Sequence, residues 1–410
     1  MAPKKDEEDD DDISDIVDDE VPEEEDEEAL NDLGNADVVT KYRTAGDIAN
    51  KVLAAVCAAV KPGKAAVEIC ALGDAAIEEA VAKIYNNKKD GKKVEKGIAF
   101  PTCISVNNIV GHYSPLTSEN KVTLAEGDLV KVDLGVHVDG YVAVAAHTLV
   151  CSEAAEPEAL TGRKADVMLA AWTASELAQR MLKDGATNSE ITKMFDTVAQ
   201  AYDVRCCEGV LSHQMKRHVI DCEKTILCKS KAEDNQTVDE HKIEKNDVWS
   251  LDVLFSSGEG KPRMSEERTT VFKRKVEMKY SLKMKASRQF FSEVNQRFPT
   301  MPFSLRAGDE RNWRMGVVEC VKHDLFVEYP VLVEKEGDFV AHFKFTAMLL
   351  PSGKTARITA GPPGKPNATS DKELKDEALV ALLAQEAEVK KKKKPNNKKK
   401  GGGGDKVEVS

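Results

Sequence analysis

Five polar residues interrupt apolar, strand-forming stretches: His112 in "NNIVGHYSP", Asp133 in "LVKVDLGV", His213 in "EGVLSHQMK", Asp252 in "SLDVLF" and Lys344 in "VAHFKFTAMLL". Two carboxylates and two imidazoles are donors that suit zinc, manganese, cobalt or iron. Taken singly, each histidine is better explained as a hydrogen-bonded core residue than as a ligand. Asp133 poses the sharper question. Its stretch "KVDLGVHVDGYVAVAAHTLV" (131–150) runs into Asp139-Gly140, a two-residue hairpin signal, and returns with no second carboxylate. The hairpin therefore holds either a metal site or the remains of one.

Helices and strands must position these side chains. In "GDIANKVLAAVCAAVKPG", Ile48, Val52, Leu53, Val56 and Val60 recur at helical spacing and stop at Lys61-Pro62-Gly63. Further helices are expected at "VEICALGDAAIEEAVAKIY", at 164–183 and at "TNSEITKMFDTVAQAYD", the last opened by the capping box Thr187-x-x-Glu190. Two strands resemble each other. "EGDLVKVDLGV" (126–136) and "KNDVWSLDVLF" (245–255) match Asp128 to Asp247 and Asp133 to Asp252, as an internal duplication of a βαβ-like half would, although chance similarity explains two such short windows equally well.

At 410 residues with 41% hydrophobic content, the chain can bury a substantial core. Its net charge of −12 is local, because residues 1–32 hold 18 Asp or Glu against Lys4 and Lys5. Residues 1–35 are expected to be a disordered acidic tail, 36–360 the folded body, and 361–410 a disordered lysine-rich tail. No apolar run is long enough to span a bilayer, and the N-terminus has no signal- or transit-peptide character, so an intracellular protein is expected. Nine cysteines without a C-x-x-C argue against a disulfide framework or a zinc ribbon.

The stretch "KGIAFPTCISVNNIVGHYSP" with "GDLVKVDLGVHVDG", "LSHQMKRHVIDCEKTI", "VLFSSGEGK" and "LKMKASRQFFSEV" resembles the pita-bread relatives of type II methionine aminopeptidases. The resemblance is closer still to the non-enzymatic proliferation-associated, or ErbB-receptor-binding, protein family, over about residues 37–360. It implies an α/β (α+β) pita-bread fold of two pseudo-symmetric halves with a basic insertion at about 261–316. Aminopeptidases of this fold hold two metal ions with Asp, Asp, His, Glu and Glu in chain order, plus a histidine that contacts substrate. By resemblance the substrate histidine matches His112, the first ligand Asp133 and the third His213, while the fourth is shortened to Asp252. The second falls at Val144 and the fifth at Lys344, and a further active-site histidine falls at Asp221. Valine has no lone pair, and an ammonium puts a positive charge where a dication would sit. No cofactor is expected, and residual metal-dependent methionine aminopeptidase activity is the weaker alternative. Lys344 is instead expected to pair with Asp133 and Asp252.

The insertion carries fourteen Lys or Arg against six acids. Arg268, Lys273, Arg274, Lys275, Lys279, Lys283, Lys285 and Arg288 are interleaved with Phe272, Tyr280, Phe290 and Phe291, a composition suited to phosphate contacts. The aromatics are more simply core. Lys390, Lys391, Lys392, Lys393 and Lys394 add a sequence-independent affinity for RNA or a nuclear address. Leu379, Leu382 and Leu383 have the spacing of a short helix that could enter a partner's groove. The resemblance implies docking on ribosomal RNA of the large subunit, with other structured RNA, a receptor cytoplasmic tail and transcriptional corepressors as further partners. A monomer shared between cytoplasm and nucleus or nucleolus is expected, with no membrane insertion.

Overall fold

A computed structural model describes residues 27–87, 93–154, 157–230 and 238–385. The chain runs α1 (Glu27–Asn31), α2 (Ala36–Ala59), α3 (Ala66–Ala82), β1 (Lys96–Val106), β2 (Ile109–Gly111), β3 (Leu129–Val138) and β4 (Tyr141–Val150). There follow α4 (Gly162–Met181), α5 (Asn188–Ala201), β5 (Arg205–Cys206), β6 (Leu211–Met215), β7 (Thr225–Leu227) and β8 (Val248–Ser256). Next come β9 (Arg263–Met264), β10 (Val271–Arg274), α6 (Lys285–Arg297), β11 (Phe303–Ser304), α7 (Glu310–Lys322), β12 (Phe326–Tyr329) and β13 (Leu332–Val333). Then follow β14 (Val340–Leu349), β15 (Thr355–Arg357) and α8 (Glu377–Leu383), with 3-10 turns at Thr117–Glu119 and Leu305–Ala307.

The main sheet has the order β1-β3-β4-β14-β8-β6-β7, with β15 on β14 and β5 on β8. Helix α2 packs its buried face, including Ile48, Val52, Leu53 and Val56, on the β1-β3-β4 half. Helices α4 and α5 cover the β14-β8 half. Every residue of β3 is buried, as a strand covered on both faces requires. Asn35 caps α2 by accepting the Asp37 amide, and the Thr187–Glu190 capping box opens α5 as its sequence predicts.

The two halves share a local design. Asp128 and Asp247 each accept the backbone amide three residues upstream, from Ala125 and Glu244, at 2.8 and 2.9 Å. Each also takes a side-chain amide, from Asn107 and Gln214. This agreement in bonding supports the duplication. Its expected βαβ form needs correction, because all the described strand pairs are antiparallel. The halves meet at β4 and β14, where threonine hydroxyls close the seam. Thr346 Oγ1 accepts the Val144 amide at 2.9 Å, and Thr148 Oγ1 donates to the His342 carbonyl at 2.7 Å.

Both expected tails extend too far into the chain. Residues 27–35, placed in the acidic tail, contribute α1, the α2 cap and buried Leu33. Residues 361–385, placed in the lysine-rich tail, lie along α4, where Ser370 and Lys372 bond Asp166 at 2.6 Å each. Leu379, Leu382 and Leu383 pack on the core cluster under α4, so the groove they enter belongs to this chain. A handful of apolar side chains outweighs composition here. Lys390 to Lys394 lie outside the described residues.

Candidate functional site

The strands bring the separated polar residues into one row. Asp133 faces Ala146 across β3–β4, Ala146 faces Lys344 across β4–β14, and Lys344 faces Asp252 across β14–β8. The Asp139-Gly140 turn that aligns β3 with β4 has positive φ at both residues, 55° and 78°, as a type I′ hairpin needs. His213 faces Ser250 on β8, two residues from Asp252 and on the same face. His112 lies just past β2 with φ of 64°, and its Nδ1–H donates to the Pro330 carbonyl at 3.0 Å.

These side chains line a cavity of about 320 Å³ whose wall also includes Phe100, Val144, Leu254 and Tyr329. Lys344 Nζ lies 3.0 Å from Asp133 Oδ2 and 2.9 Å from Asp252 Oδ2, the two ion pairs expected from the sequence. Its ammonium also sits 5.6 Å from the Phe100 ring centroid, a cation–π contact. His342 Nε2–H donates to Asp252 Oδ1 at 2.7 Å. The sequence reading omitted His342. It lies two residues before Lys344 on β14 and so shares its face, a signal that strand alternation alone carries. Asp133 Oδ1 and His213 Nδ1 are buried without a hydrogen-bond partner.

Burial opposes charge throughout the pocket, and only the paired groups overcome it. Burial would lower the Lys344 ammonium, yet Asp133 and Asp252 hold it above the ordinary lysine range. Burial would raise the Asp252 carboxyl, yet Lys344 and His342 hold it well below the usual carboxylate range. For His112 and His213 burial outweighs a backbone hydrogen bond and the nearby carboxylates, and both lie below the ordinary imidazole value.

A two-metal centre does not fit these residues. Where the resemblance places a bridging carboxylate, Val144 offers a branched hydrocarbon. The Lys344 ammonium occupies the space between the two remaining carboxylates and already uses one oxygen of each. Among the described residues no three His, Cys, Asp or Glu are grouped so as to hold a metal ion.

The predicted phosphate contacts divide into two sets. Several cations are committed internally: Lys273 to Asp221 at 2.5 Å, Lys275 to Asp324 at 2.5 Å, and Arg268 to Glu119 at 3.0 Å. Arg274 lies 5.4 Å from the Phe291 ring centroid. Lys279, Lys283, Lys285 and Arg288 are exposed, on the loop before α6 and on its first turn. Arg288 also donates to the Lys283 carbonyl at 2.8 Å. Phe272 and Phe290 are core, Phe291 packs against that core, and Tyr280 is 38% exposed. Asp221 lines the cavity while holding Lys273, so the insertion closes over the pocket's rim.

A seven-strand path covered by helices on each half brings one inward carboxylate from each half to the seam, and that scaffold has a family match. Residues 40–271 match the family described as Metallopeptidase family M24. Among curated relatives, the chain is 48% identical over 354 residues to "ERBB-3 binding protein 1" of Solanum tuberosum, covering 86% of this chain and 89% of that one. It is 41% identical to "Proliferation-associated protein A" of Dictyostelium discoideum, covering 87% and 90%. It is 38% identical to the "Curved DNA-binding protein" of Schizosaccharomyces pombe, covering 86% and 91%. A solved structure described as a thermophilic Arx1 superposes with TM-score 0.79 at 32% identity, covering 86% of this chain and 98% of that one. The chain belongs to the M24 family and, within it, to the ErbB-3-binding, proliferation-associated group.

Proposed function

We propose that this protein binds structured RNA, chiefly on the large ribosomal subunit, through the basic insertion of an aminopeptidase scaffold that no longer cleaves peptides. The observation that carries the reading is Lys344 seated between Asp133 and Asp252. The pocket's charges are satisfied within the chain, so the scaffold has no need of metal ions and no means to activate water with them. The insertion presents Lys279, Lys283, Lys285 and Arg288 to solvent. A relative named for binding curved DNA supports a nucleic acid as the partner class.

Phosphate contact by these cations gives weak sequence preference and steep salt dependence. Replacing Lys279, Lys283 and Lys285 by Glu is expected to remove ribosome co-sedimentation at physiological salt. In a binding titration with a structured RNA, each lost contact lowers the log-affinity against log-salt slope by about 0.7–0.9. Reversal of Lys273 tests its pair with Asp221 rather than RNA. Co-sedimentation of the triple variant at the wild-type level would refute the assignment of this surface.

A further inference from the structure

The outward face of the insertion is not a plain phosphate-binding surface. Among the described residues, ten large apolar side chains are exposed, and seven of them fall between Met264 and Val318. Four of those lie on one loop between β10 and α6: Val276 at 51% exposure, Met278 at 36%, Tyr280 at 38% and Met284 at 49%. The same loop and the turn after it carry Lys279, Lys283 and Lys285. Phosphates require none of the apolar groups, and their exposure is removed by a partner that brings both acids and aliphatic side chains.

The loop is held in place to present them. Glu319 of α7 accepts the amides of Lys283 at 2.8 Å and Met284 at 3.0 Å. The Tyr280 ring stacks on His323 with centroids 3.6 Å apart, and Lys275 pairs with Asp324. The platform is therefore preorganised, and little ordering entropy is lost when something docks on it.

The chain supplies a complementary segment. Between Asp6 and Glu28 the only aliphatic residues besides Pro22 are Ile13, Ile16, Val17 and Val21, at helical spacing among acids. These residues lie outside the described ones, but the point from which they depart is known. Tyr141 Oη donates to the Leu30 carbonyl at 2.7 Å, and the Arg217 amide donates to Asn31 Oδ1 at 2.8 Å. Four residues beyond Arg217, Asp221 holds Lys273 on the strand that leads into the platform. Leu33 packs in the same cluster as Met301 of the insertion. Ten residues of chain between Glu27 and Val17 span up to about 35 Å when extended.

We propose that residues 13–21 dock in cis on the 276–285 platform and mask it from polyanions, a regulation that rests on the reading of that surface as the RNA site. Tethering gives an effective concentration on the order of 1 mM. Docking with a Kd near 0.1 mM then occupies the platform about nine-tenths of the time and weakens apparent RNA affinity about ten-fold.

The test compares the full chain, a deletion of residues 2–26, and the full chain with Ile13, Ile16, Val17 and Val21 each changed to Ser, which alters no charge. Each is titrated with a structured RNA hairpin near physiological salt. A fluorescent peptide spanning residues 10–24 is titrated separately against the deletion protein and against its Met278→Ser/Met284→Ser derivative. The expected result is RNA binding about ten-fold tighter for both the deletion and the serine variant, with peptide binding that the two methionine changes weaken. A serine variant that binds RNA like the full chain overturns the proposal, because the acids would then act only as diffuse charge. If no form binds RNA, the polyanion reading itself fails. Docking is then judged on the peptide, and a peptide indifferent to Met278→Ser/Met284→Ser overturns it as well.

Discussion

Replacing Lys344 by Met keeps the side chain's length and removes its charge. The Lys344 side chain is 13% exposed, and those of its partners Asp133 and Asp252 are 9% and 15% exposed, so solvent screens neither contact strongly. Without it, two buried carboxylates face each other across the seam, one oxygen of Asp133 already being without a partner. Only Asp252 retains a nearby donor, His342. Removing one member of such a buried network costs about 3–5 kcal/mol. For a folded body of some 350 residues, the unfolding entropy converts this to a Tm lower by about 4–7 °C. The carboxylates of Lys344→Met can escape the repulsion by taking up a proton, so the loss should shrink as pH falls from 7 toward 5. Asp133→Asn added to Lys344→Met should recover part of the stability, since the single changes share one contact. Differential scanning calorimetry of wild type and the single and double variants at pH 7 and pH 5 measures all three. A Lys344→Met melt within a degree of wild type at pH 7 would refute the network, as would a loss that does not depend on pH.

Two further expectations follow from buried titratable groups. Lys131 is 1% exposed and donates to the Asn107 carbonyl at 2.8 Å, and burial pushes its pKa down to about 7. Between that value and the ordinary 10.5 the unfolded chain binds the extra proton, so stability rises with pH. Wild type should gain about 1–2 kcal/mol over Lys131→Met between pH 7 and pH 8.5 in urea titrations, and parallel curves would contradict this. Burial also pushes His137 and His147 down to about 4. Folded values below the unfolded 6.5 mean that stability is lost as pH falls through that window, by about 2.5 kcal/mol for each histidine at pH 4.5. The double change of His137 and His147 to Gln should flatten the decline between pH 6.5 and 4.5. An unchanged slope would show that neither ring contributes.

Much of this architecture is legible in the sequence because it is local. Helical spacing marks α2, the Thr187–Glu190 box marks the start of α5, and Asp139-Gly140 marks the hairpin. The ion pairs of Lys344 were readable only because the resemblance assigned Asp133, Asp252 and Lys344 to one site. Beyond the Asp139-Gly140 hairpin, strand polarity was not readable, since an Asp on a buried strand looks the same in a parallel and an antiparallel pair. Composition misplaced residues 27–35 and 361–385, whose order depends on contacts of Leu33, Leu379, Leu382 and Leu383 with distant elements. For the same reason, the insertion's apparent surplus of free cations overlooked Asp221, Glu119 and Asp324 as their partners. His342 was missed although its spacing from Lys344 places it on the pocket face.

The central proposal is that Lys344 stands where the resemblance to aminopeptidases places metal, and that the scaffold serves a binding role instead. Its most direct test is elemental analysis of the purified protein after equilibration with zinc, manganese or cobalt, paired with an assay for methionine release from a Met-initiated peptide. The expected result is far less than one ion per chain and no release with any of the three metals. About two ions per chain, together with metal-stimulated release that Lys344→Met alters, would contradict it.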